Sequence, residues 1–237
     1  MISLQSFVAP PSQCGYLPDQ TWSLGYEWCV EVSATEYHDR MAQGWRRFGR
    51  MLFRPRCRTC SRCQPIRVVV DRFRPNRSQR RAAQANKDDV RIVVRQPSVA
   101  AAKLRLYDRF HAFQTEVKDW PMHDPKDPDD YRQSFVDNPF PTEEWGYYLG
   151  DKLVGVGYVD ALPECLSAIY FYYDPDERHR SLGTWNVLAV LAEAKRRGLR
   201  HLYLGYFVEG CRSLEYKANY APNEVLGPDG RWRPFRE

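Results

Sequence analysis

The spacing of apolar and polar residues divides the chain into short helices and strands. In the first half, Tyr37, Met41, Trp45 and Phe48 recur every three or four residues, which predicts a helix with Thr35 as its N-cap. The other elements predicted for this half are irregular chain with short strands over 1–33, a strand over 66–70, a basic helix over 77–87 capped by Asn76 or Ser78, a strand over 90–94 and a helix over 99–117.

The second half begins with a segment rich in Pro and Asp, 119–143, which predicts an elaborated loop or domain junction with one short helical patch near 131–136. Beyond it the pattern predicts strands over 145–149 and 153–160 joined at Gly150-Asp151, a strand over 167–173, a helix over 182–197, a strand over 201–207 and a short helix over 214–220. This order of elements resembles that of the GCN5-related N-acetyltransferases (GNAT), which indicates an α+β fold.

Length and composition fit a packed protein. The chain has 237 residues, of which 43% are hydrophobic and 14% aromatic, enough for one large domain or two small ones. The first residues lack the basic and apolar regions of a secretory signal, and no apolar run approaches the roughly 20 residues of a membrane span. The sequence therefore predicts a cytoplasmic protein with no membrane partner.

Positive charge is concentrated between Arg46 and Arg81. This stretch contains thirteen arginines, no lysine, and a single acidic residue, Asp71. Arginine presents a planar fork of donors that suits phosphates and carboxylates. The segment is therefore predicted to recognise acidic groups, such as those of a nucleic acid or of an acidic peptide.

Three of the seven cysteines lie in the stretch CRTCSRC, residues 57–63, with the spacing C-x2-C-x2-C. A zinc ion or an iron–sulfur cluster needs about four ligands. Cys14, in a glycine-containing turn, is the best candidate to join Cys57, Cys60 and Cys63, whereas Cys29 in a strand-like stretch is predicted to be core. The neighbouring arginines favour thiolates, which suits metal binding or redox sensitivity alike. Packing alone is the third interpretation.

Two further stretches carry candidate chemistry. RHRSLGTW (178–185) joins an aromatic strand to a helix, and basic residues with a glycine at a helix start suit a phosphate or a terminal ribose. An ordinary capped helix is the alternative. The block GYFVEGCRSLEYKANYAP (205–222) clusters tyrosines with a glutamate and a lysine, either as a functional group or as core residues with solvated tips. The histidines show no metal spacing, and no Ser/His/Asp pattern is present.

These blocks together resemble the arginyl-tRNA–protein transferase family, in its bacterial form the aspartate/glutamate leucyltransferases. The matching stretches keep the family's order and extend over nearly the whole chain. They are CGYLP (14–18), GWRRFGR (44–50), CRTCSRCQPIRV (57–68), NRSQRRA (76–82), FYYDPDERHRSLGTW (171–185), YLGYFVEGC (203–211), YKANYAP (216–222) and DGRW (229–232).

The resemblance implies an α+β architecture of two domains. A Cys/Arg-rich N-terminal domain over 1–95 would help to recognise acidic N-termini, and a GNAT-like domain with a mixed sheet over 96–237 would transfer the amino acid. The implied reaction moves leucine, or less favourably arginine, from aminoacyl-tRNA to the N-terminal Asp or Glu of an acceptor protein. That addition marks the acceptor for degradation by the N-degron pathway.

The resemblance implies no cofactor for the chemistry itself. Cys14 and Cys63 match cysteines that hold a metal or cluster in the eukaryotic branch of the family. Leu17 stands where that branch has a second cysteine, and Cys57 and Cys60 are extra. The departure leaves the ligand set open between a structural zinc ion and an iron–sulfur cluster.

The donor ester is already activated, so the reaction mainly needs positioning and a neutral amine nucleophile. Asp174 is predicted to orient or deprotonate the acceptor amine, and Tyr206 and Lys217 to stabilise the tetrahedral oxyanion or shape the aminoacyl pocket. The predicted substrate-binding residues are Arg77, Arg80 and Arg81 with Ser78 for the acidic side chain, Arg180, Ser181 and Gly183 for the tRNA acceptor end, and Tyr216 in the pocket.

Two other classes of function compete with this interpretation. A non-enzymatic zinc-knuckle protein would bind tRNA without discriminating charged from uncharged forms. An acetyl-CoA-dependent acetyltransferase would carry a pyrophosphate loop of the form Q/R-x-x-G-x-G/A. Arg180-x-x-Gly183-x-Trp185 keeps only the first half of that loop and ends in a bulky side chain.

Overall fold

Two β-sheets and a two-stranded ribbon organise the chain in the computed structural model, which describes residues 1–118 and 120–237. In chain order the strands are β1 (Ile2–Val8), β2 (Ser12–Gln13), β3 (Thr21–Trp22), β4 (Leu24–Glu31), β5 (Arg46–Phe48), β6 (Met51–Pro55), β7 (Gln64–Val69), β8 (Val90–Arg95), β9 (Thr142–Leu149), β10 (Lys152–Ala161), β11 (Cys165–Tyr173), β12 (His201–Phe207), β13 (Asn223–Leu226) and β14 (Trp232–Arg236). The helices are α1 (Ala34–Ala42), α2 (Arg77–Gln84), α3 (Ala101–Lys118), α4 (Pro128–Phe135), α5 (Leu182–Arg196) and α6 (Arg212–Glu215), with two 3-10 helices, Pro175–Arg180 and Tyr216–Asn219.

The large sheet has eight strands in the order β14-β13-β7-β12-β11-β10-β9-β8. It is mixed, because β11 and β12 run parallel while the other neighbouring strands are antiparallel. Helix α5 covers one face with apolar residues such as Leu188 and Leu191, and α3 and α4 cover the other with Phe110 and Phe135. The predicted mixed sheet, in a chain of both helices and strands, is confirmed. No helix among the described residues combines the length and apolar character needed to cross a membrane.

The large sheet takes two of its strands from the first 95 residues. β7 lies between β12 and β13 near one side of the sheet, and β8 forms the opposite edge beside β9. Hydrogen bonding therefore continues across the predicted domain division between residues 95 and 96. The division into domains 1–95 and 96–237 remains a prediction.

The small sheet, in the order β1-β4-β6-β5, packs against α1 and is fixed to the large sheet by a buried ion pair. The Arg47 guanidinium binds both carboxylate oxygens of Asp160 on β10, and both side chains are almost completely buried. The Tyr37 hydroxyl donates to Asp160 at 2.8 Å and the Thr142 hydroxyl at 2.9 Å. The carboxylate thus joins α1, β5, β9 and β10.

The first predicted helix is shorter than the spacing of its apolar residues indicated. α1 ends at Ala42, and residues 46–48 form β5 instead. Gly44 has a φ of 90° and Gly49 a φ of 54°, conformations that glycine adopts readily, so the chain turns before and after this strand. The predicted N-cap, Thr35, is also wrong: Ser33 caps α1.

Other predicted elements are found at or near their predicted positions. Asn76 caps α2 in a reciprocal arrangement with Gln79, and α5 spans Leu182–Arg196. In the predicted junction 119–143, α4 begins before the expected patch, and position 119 lies outside the described residues. The apolar pattern did not predict β13 and β14, which extend the large sheet beyond β7.

Candidate active site

Strands β11 and β12 open a gap in the large sheet. They pair only over residues 165–167 and 201–203, at one end of each strand. On its other side, β12 has an irregular register against β7 between Tyr203 and Tyr206, and Gly205 within this bulge has a φ of 83°. Because such a φ favours glycine, Gly205 allows the strand to leave the regular ladder there. Backbone carbonyls of the bulge are consequently open to side chains from other elements.

The second 3-10 helix joins this bulge to α2. Lys217 Nζ donates to the backbone oxygen of Tyr206 at 3.0 Å. Gln79, in the first turn of α2, donates from Nε2 to the backbone oxygen of Asn219 at 3.0 Å. Candidate residues that are distant in sequence therefore lie on adjoining elements around the end of β12.

The Lys217 amine has the most unusual acid–base property of this cluster. Burial lowers the pKa of Lys217 to about 7, the positive charge of Arg46 acts in the same direction, and the Cys211 thiol opposes both. A lysine with a pKa near 7 is substantially uncharged at neutral pH and can accept a proton. Since a Cβ on Gly205 would lie 3.3 Å from Lys217 Nζ, a glycine there also leaves the amine its space.

Tyr206 faces the N-terminal region. Its hydroxyl donates to the backbone oxygen of Gly44 at 2.8 Å, its side chain is 5% exposed, and burial raises its pKa. The Tyr206 phenol therefore links β12 of the large sheet to the turn before β5 of the small sheet. Tyr216 is 46% exposed and packs edge-on against Tyr220.

The predicted acid-recognition residues form an exposed surface on α2. Arg77, Ser78, Arg80 and Arg81 are exposed, while Gln79 between them is buried. Arg80 donates to a backbone carbonyl, and within the described chain no carboxylate forms an ion pair with any of these three arginines. Their guanidinium groups are available to an external anion.

The start of α5 is open on its solvent side. Ser181 has a φ of 54° and its side chain makes no capping hydrogen bond. A Cβ placed on Gly183 would have no atom within 4 Å. Thr184 lies beside the Tyr220 phenol, which connects this helix start to the end of the second 3-10 helix.

Arg180 does not extend into this open space. Its Nη1 donates to the backbone oxygen of Ala85 at 2.9 Å and pairs with Asp89 at 3.1 Å. Its Nε pairs with Glu177 at 3.3 Å. The structure therefore places Arg180 as a tie between the end of α2 and the first 3-10 helix, next to the predicted tRNA-binding start of α5.

Asp174 lies at the first 3-10 helix, which it caps. Its carboxylate pairs with Arg109 and with Lys152, each at 2.9 Å. Burial acts to raise the pKa of Asp174, but the hydrogen bonds from Lys152 and the Asp176 amide, with the charge of Arg109, outweigh it and leave the pKa below its ordinary value. Such a carboxylate is a poor proton acceptor near neutral pH, and it is well suited to hold charged groups in place.

The predicted cysteine ligands line one small cavity. Cys14, Cys57, Cys60 and Cys63 surround a space of about 40 Å³ together with Tyr206. All four are free thiols. In the part of the chain that the structure describes, no three His, Cys, Asp or Glu side chains are arranged closely enough to share a metal ion. The four predicted cysteines therefore line the same cavity, but they are not arranged as the ligands of a metal ion.

The environment of the Cys63 thiol acts on its pKa in the direction opposite to the expected one. Burial, followed by the neighbouring thiols Cys57, Cys14, Cys60 and Cys211, raises the pKa of Cys63 to about 12. The arginines of the stretch do not offset this, because Arg58 and Arg62 are exposed to solvent. The expectation that they favour a thiolate is wrong for Cys63 in this arrangement. The predicted core residue Cys29 is fully buried.

Sequence reasoning missed Arg46. It was counted with the arginines expected to meet phosphates and carboxylates, but its side chain is 5% exposed and contacts the β12 bulge. The signal that separates it from the rest is its place between Trp45 and Gly49, in a stretch of largely buried residues.

An amine of low pKa, exposed arginines that form no ion pair within residues 1–118 and 120–237, and an open helix start are features that suit a group-transfer enzyme. Two family models match the chain: "Arginine-tRNA-protein transferase, N terminus" over residues 12–81 and "Arginine-tRNA-protein transferase, C terminus" over residues 102–227. The chain therefore belongs to the arginine-tRNA-protein transferase family, whose members are aminoacyltransferases.

Curated relatives match over almost their whole length. The aspartate/glutamate leucyltransferase of Campylobacter jejuni strain 81-176 is 37% identical over 93% of this chain and 92% of its own. That of Marinobacter nauticus is 37% identical over 98% of this chain and 96% of its own. Among solved structures, the crystal structure of FemX has a TM-score of 0.50 and 9% identity over 83% of this chain and 67% of its own, a likeness in fold alone.

Proposed function

We propose that this chain transfers leucine from leucyl-tRNA to the N-terminal Asp or Glu of acceptor proteins, as the names of its relatives indicate for them. The observation that carries the proposal is that α2, whose exposed arginines form no ion pair within the described chain, contacts through Gln79 the 3-10 helix that carries the low-pKa amine of Lys217. The arginines suit an acidic side chain, and the amine suits proton transfer from the nucleophile. Such an addition would direct the acceptor to the N-degron pathway.

The residue roles follow from the charges around each group. Arg77, Arg80 and Arg81, with Ser78, bind the acceptor carboxylate, and the open start of α5 at Ser181 and Gly183 receives the tRNA acceptor end, with Tyr216 beside it. Arg180 holds the residues just before α5 against the end of α2, through Ala85 and Asp89, and does not bind the phosphate directly.

The proton acceptor is assigned to Lys217 instead of Asp174. The pKa of Asp174 is lowered by its cationic neighbours, so its role is to hold Arg109 and Lys152 in place, whereas Lys217 is substantially uncharged at neutral pH. Tyr206 shapes the pocket wall. The parallel pair β11–β12 that separates after three residues supports a GNAT-like architecture. Charged tRNA is a cytoplasmic molecule, so a cytoplasmic location belongs to this proposal.

The transfer reaction itself provides the direct test. With a peptide that begins with Asp and with leucyl-tRNA, mass spectrometry is expected to detect a mass gain of one leucine residue on the peptide. Arginyl-tRNA is expected to give little product, and uncharged tRNA or a peptide that begins with Ala none. Absence of product with both charged tRNAs would refute the proposed function, and a gain of arginine would correct the donor.

Cys14, Cys57, Cys60 and Cys63 are proposed to hold a structural zinc ion or iron–sulfur cluster, because four sulfur donors line one cavity, and binding would draw them closer than they lie in the described chain. The group would join the N-terminal segment to the arginine-rich stretch and take no part in the chemistry. Anaerobically purified protein is expected to contain zinc or iron by elemental analysis. Cys63→Ser is expected to lose most of it, and Cys29→Ala, which alters a buried cysteine outside the cavity, to retain it. Metal-free wild-type protein would contradict the assignment.

A further inference from the structure

Arg46 is a buried cation without an anionic partner. Its side chain is 5% exposed, and among residues 1–118 and 120–237 no carboxylate lies within ion-pair distance of it. Its neighbour Arg47 is equally buried but is paired with Asp160. Removing a charge from water without pairing it costs several kcal/mol. A role in stability alone would be met by an apolar residue, so the unpaired charge points to function.

Arg46 links the end of α1 to the bulge of β12. Its Nη1 donates to the backbone oxygens of Met41 at 3.1 Å and Trp45 at 2.5 Å, and its Nη2 donates to the backbone oxygen of Gly205 at 3.4 Å. The guanidinium carbon lies 5.2 Å from the centre of the Tyr203 ring and 5.6 Å from that of Tyr206. The two aromatic faces supply favourable electrostatics in place of a carboxylate. Its Nε, also buried, has no partner among the described atoms.

Lys217 contacts the same bulge from the second 3-10 helix. Its Nζ donates to the backbone oxygen of Tyr206, the residue after the one that Arg46 contacts. Two basic side chains therefore bind consecutive carbonyls of one bulge. Only one of them, Arg46, is charged at every physiological pH.

We propose that Arg46 is a positioning residue, which holds the bulge of β12 and thereby places the Lys217 amine as the proton acceptor of the transfer reaction. The inference rests on the proposed function and deepens it. Arg46 itself does not contact the substrate. Arg46 lies on β5 of the small sheet and binds the carbonyl of Gly205 on β12. The packing of the small sheet against the large sheet therefore influences the position of the Lys217 amine.

Lys217 acts as the base when the acceptor amine attacks the aminoacyl ester. The neutral acceptor amine attacks the ester carbonyl carbon of the aminoacyl-tRNA, and a C–N bond forms. The attacking nitrogen loses a proton to the Lys217 amine. The C–O bond to the ribose then breaks, and the ribose oxygen leaves with that proton as a hydroxyl, which restores the uncharged lysine.

The charge of Arg46 also supports this role. The pKa of Lys217 is lowered to about 7, first by burial and then by Arg46. Among the described residues, the other titratable group that acts on the amine is the Cys211 thiol, which opposes the shift. Removing the charge of Arg46 removes a repulsion from the protonated amine, so the pKa of Lys217 rises and less of the base is present at pH 7.

The test compares the pH profile of kcat for four proteins: wild type, Arg46→Gln, Arg46→Lys and Arg105→Gln, a control at an exposed arginine. In the wild type, kcat is expected to rise through about pH 7. Arg46→Gln should move this rise upward by about one pH unit. Arg46→Lys keeps the charge but loses the planar fork, so the midpoint should stay while kcat falls. Arg105→Gln should match the wild type.

A measurement without turnover accompanies these profiles. The 13Cε resonance of Lys217, assigned by its loss in Lys217→Met, should titrate near pH 7 in the wild type and higher in Arg46→Gln. Lys217→Met should reduce kcat by about 10²- to 10⁴-fold. An unchanged midpoint in folded Arg46→Gln, or a Lys217 that titrates near its ordinary value in the wild type, would overturn the inference. Either result leaves leucine transfer by the wild type intact, so this failure is distinct from failure of the proposed function.

Discussion

Asp160→Asn is expected to lower the free energy of unfolding by about 3–5 kcal/mol. The substitution removes the partner of Arg47 and leaves the guanidinium buried, with both side chains at most 1% exposed in the native pair. It also weakens the acceptor of the Tyr37 and Thr142 hydroxyls. Urea unfolding followed by tryptophan fluorescence measures the loss.

Two comparisons isolate the buried charge. Glu164→Gln breaks an exposed pair with Arg200 and should change stability by less than about 1 kcal/mol. The double variant Arg47→Met/Asp160→Leu removes both charges and should be more stable than Asp160→Asn, because it leaves no buried ion. An Asp160→Asn protein that unfolds at the wild-type urea concentration would show that the junction between the sheets does not depend on this pair.

Alanine substitution of Arg77 or Arg81 is expected to reduce kcat/KM for an Asp-initiated peptide by about 10- to 100-fold. A hydrogen bond to a charged group contributes about 1.5–3 kcal/mol, which corresponds to that range. Both side chains are exposed on the first turns of α2 and, in the described structure, unpaired. The loss should appear in the KM for the peptide, and Arg105→Ala serves as an exposed-arginine control.

The donor provides the discriminating measurement. If these arginines bind the acceptor carboxylate, the KM for leucyl-tRNA should remain near the wild-type value and its salt dependence should not change. A raised KM for the tRNA with a smaller salt slope would instead place the arginines on phosphate. That outcome would remove them from acceptor recognition.

The elements most readily predicted were those with a local cause. α2 begins at Asn76 because that side chain and Gln79 cap each other, and α5 follows a regular apolar stripe that ends before Gly198. The prediction for α1 was wrong because Trp45 and Phe48 continue the helical spacing by coincidence. The positive φ angles of Gly44 and Gly49 decide the local structure instead.

The candidate site was predictable in its parts and not in its assembly. The motif blocks located Lys217 and the arginines of α2, but the hydrogen bonds of Gln79 and Lys217 are what show that α2 contacts the 3-10 helix beside β12. Burial then divided residues that look alike in sequence. Arg46 and Arg81 have the same side chain, and packing makes one an internal support and leaves the other to solvent. Such differences depend on contacts between distant segments, which no local pattern records.

The place of β7 in the large sheet has a consequence for how the protein is made. Both neighbours of this strand, β12 and β13, lie in the last part of the chain, after residue 200. On a ribosome that adds about 5–20 residues per second, β7 emerges on the order of ten seconds before its first partner is synthesised. Its Ile66 and Val68 are fully buried in the final fold, but during that interval they are exposed because neither neighbouring strand has been synthesised. We therefore expect nascent chains of this protein to bind the chaperones that recognise short apolar segments at the ribosome.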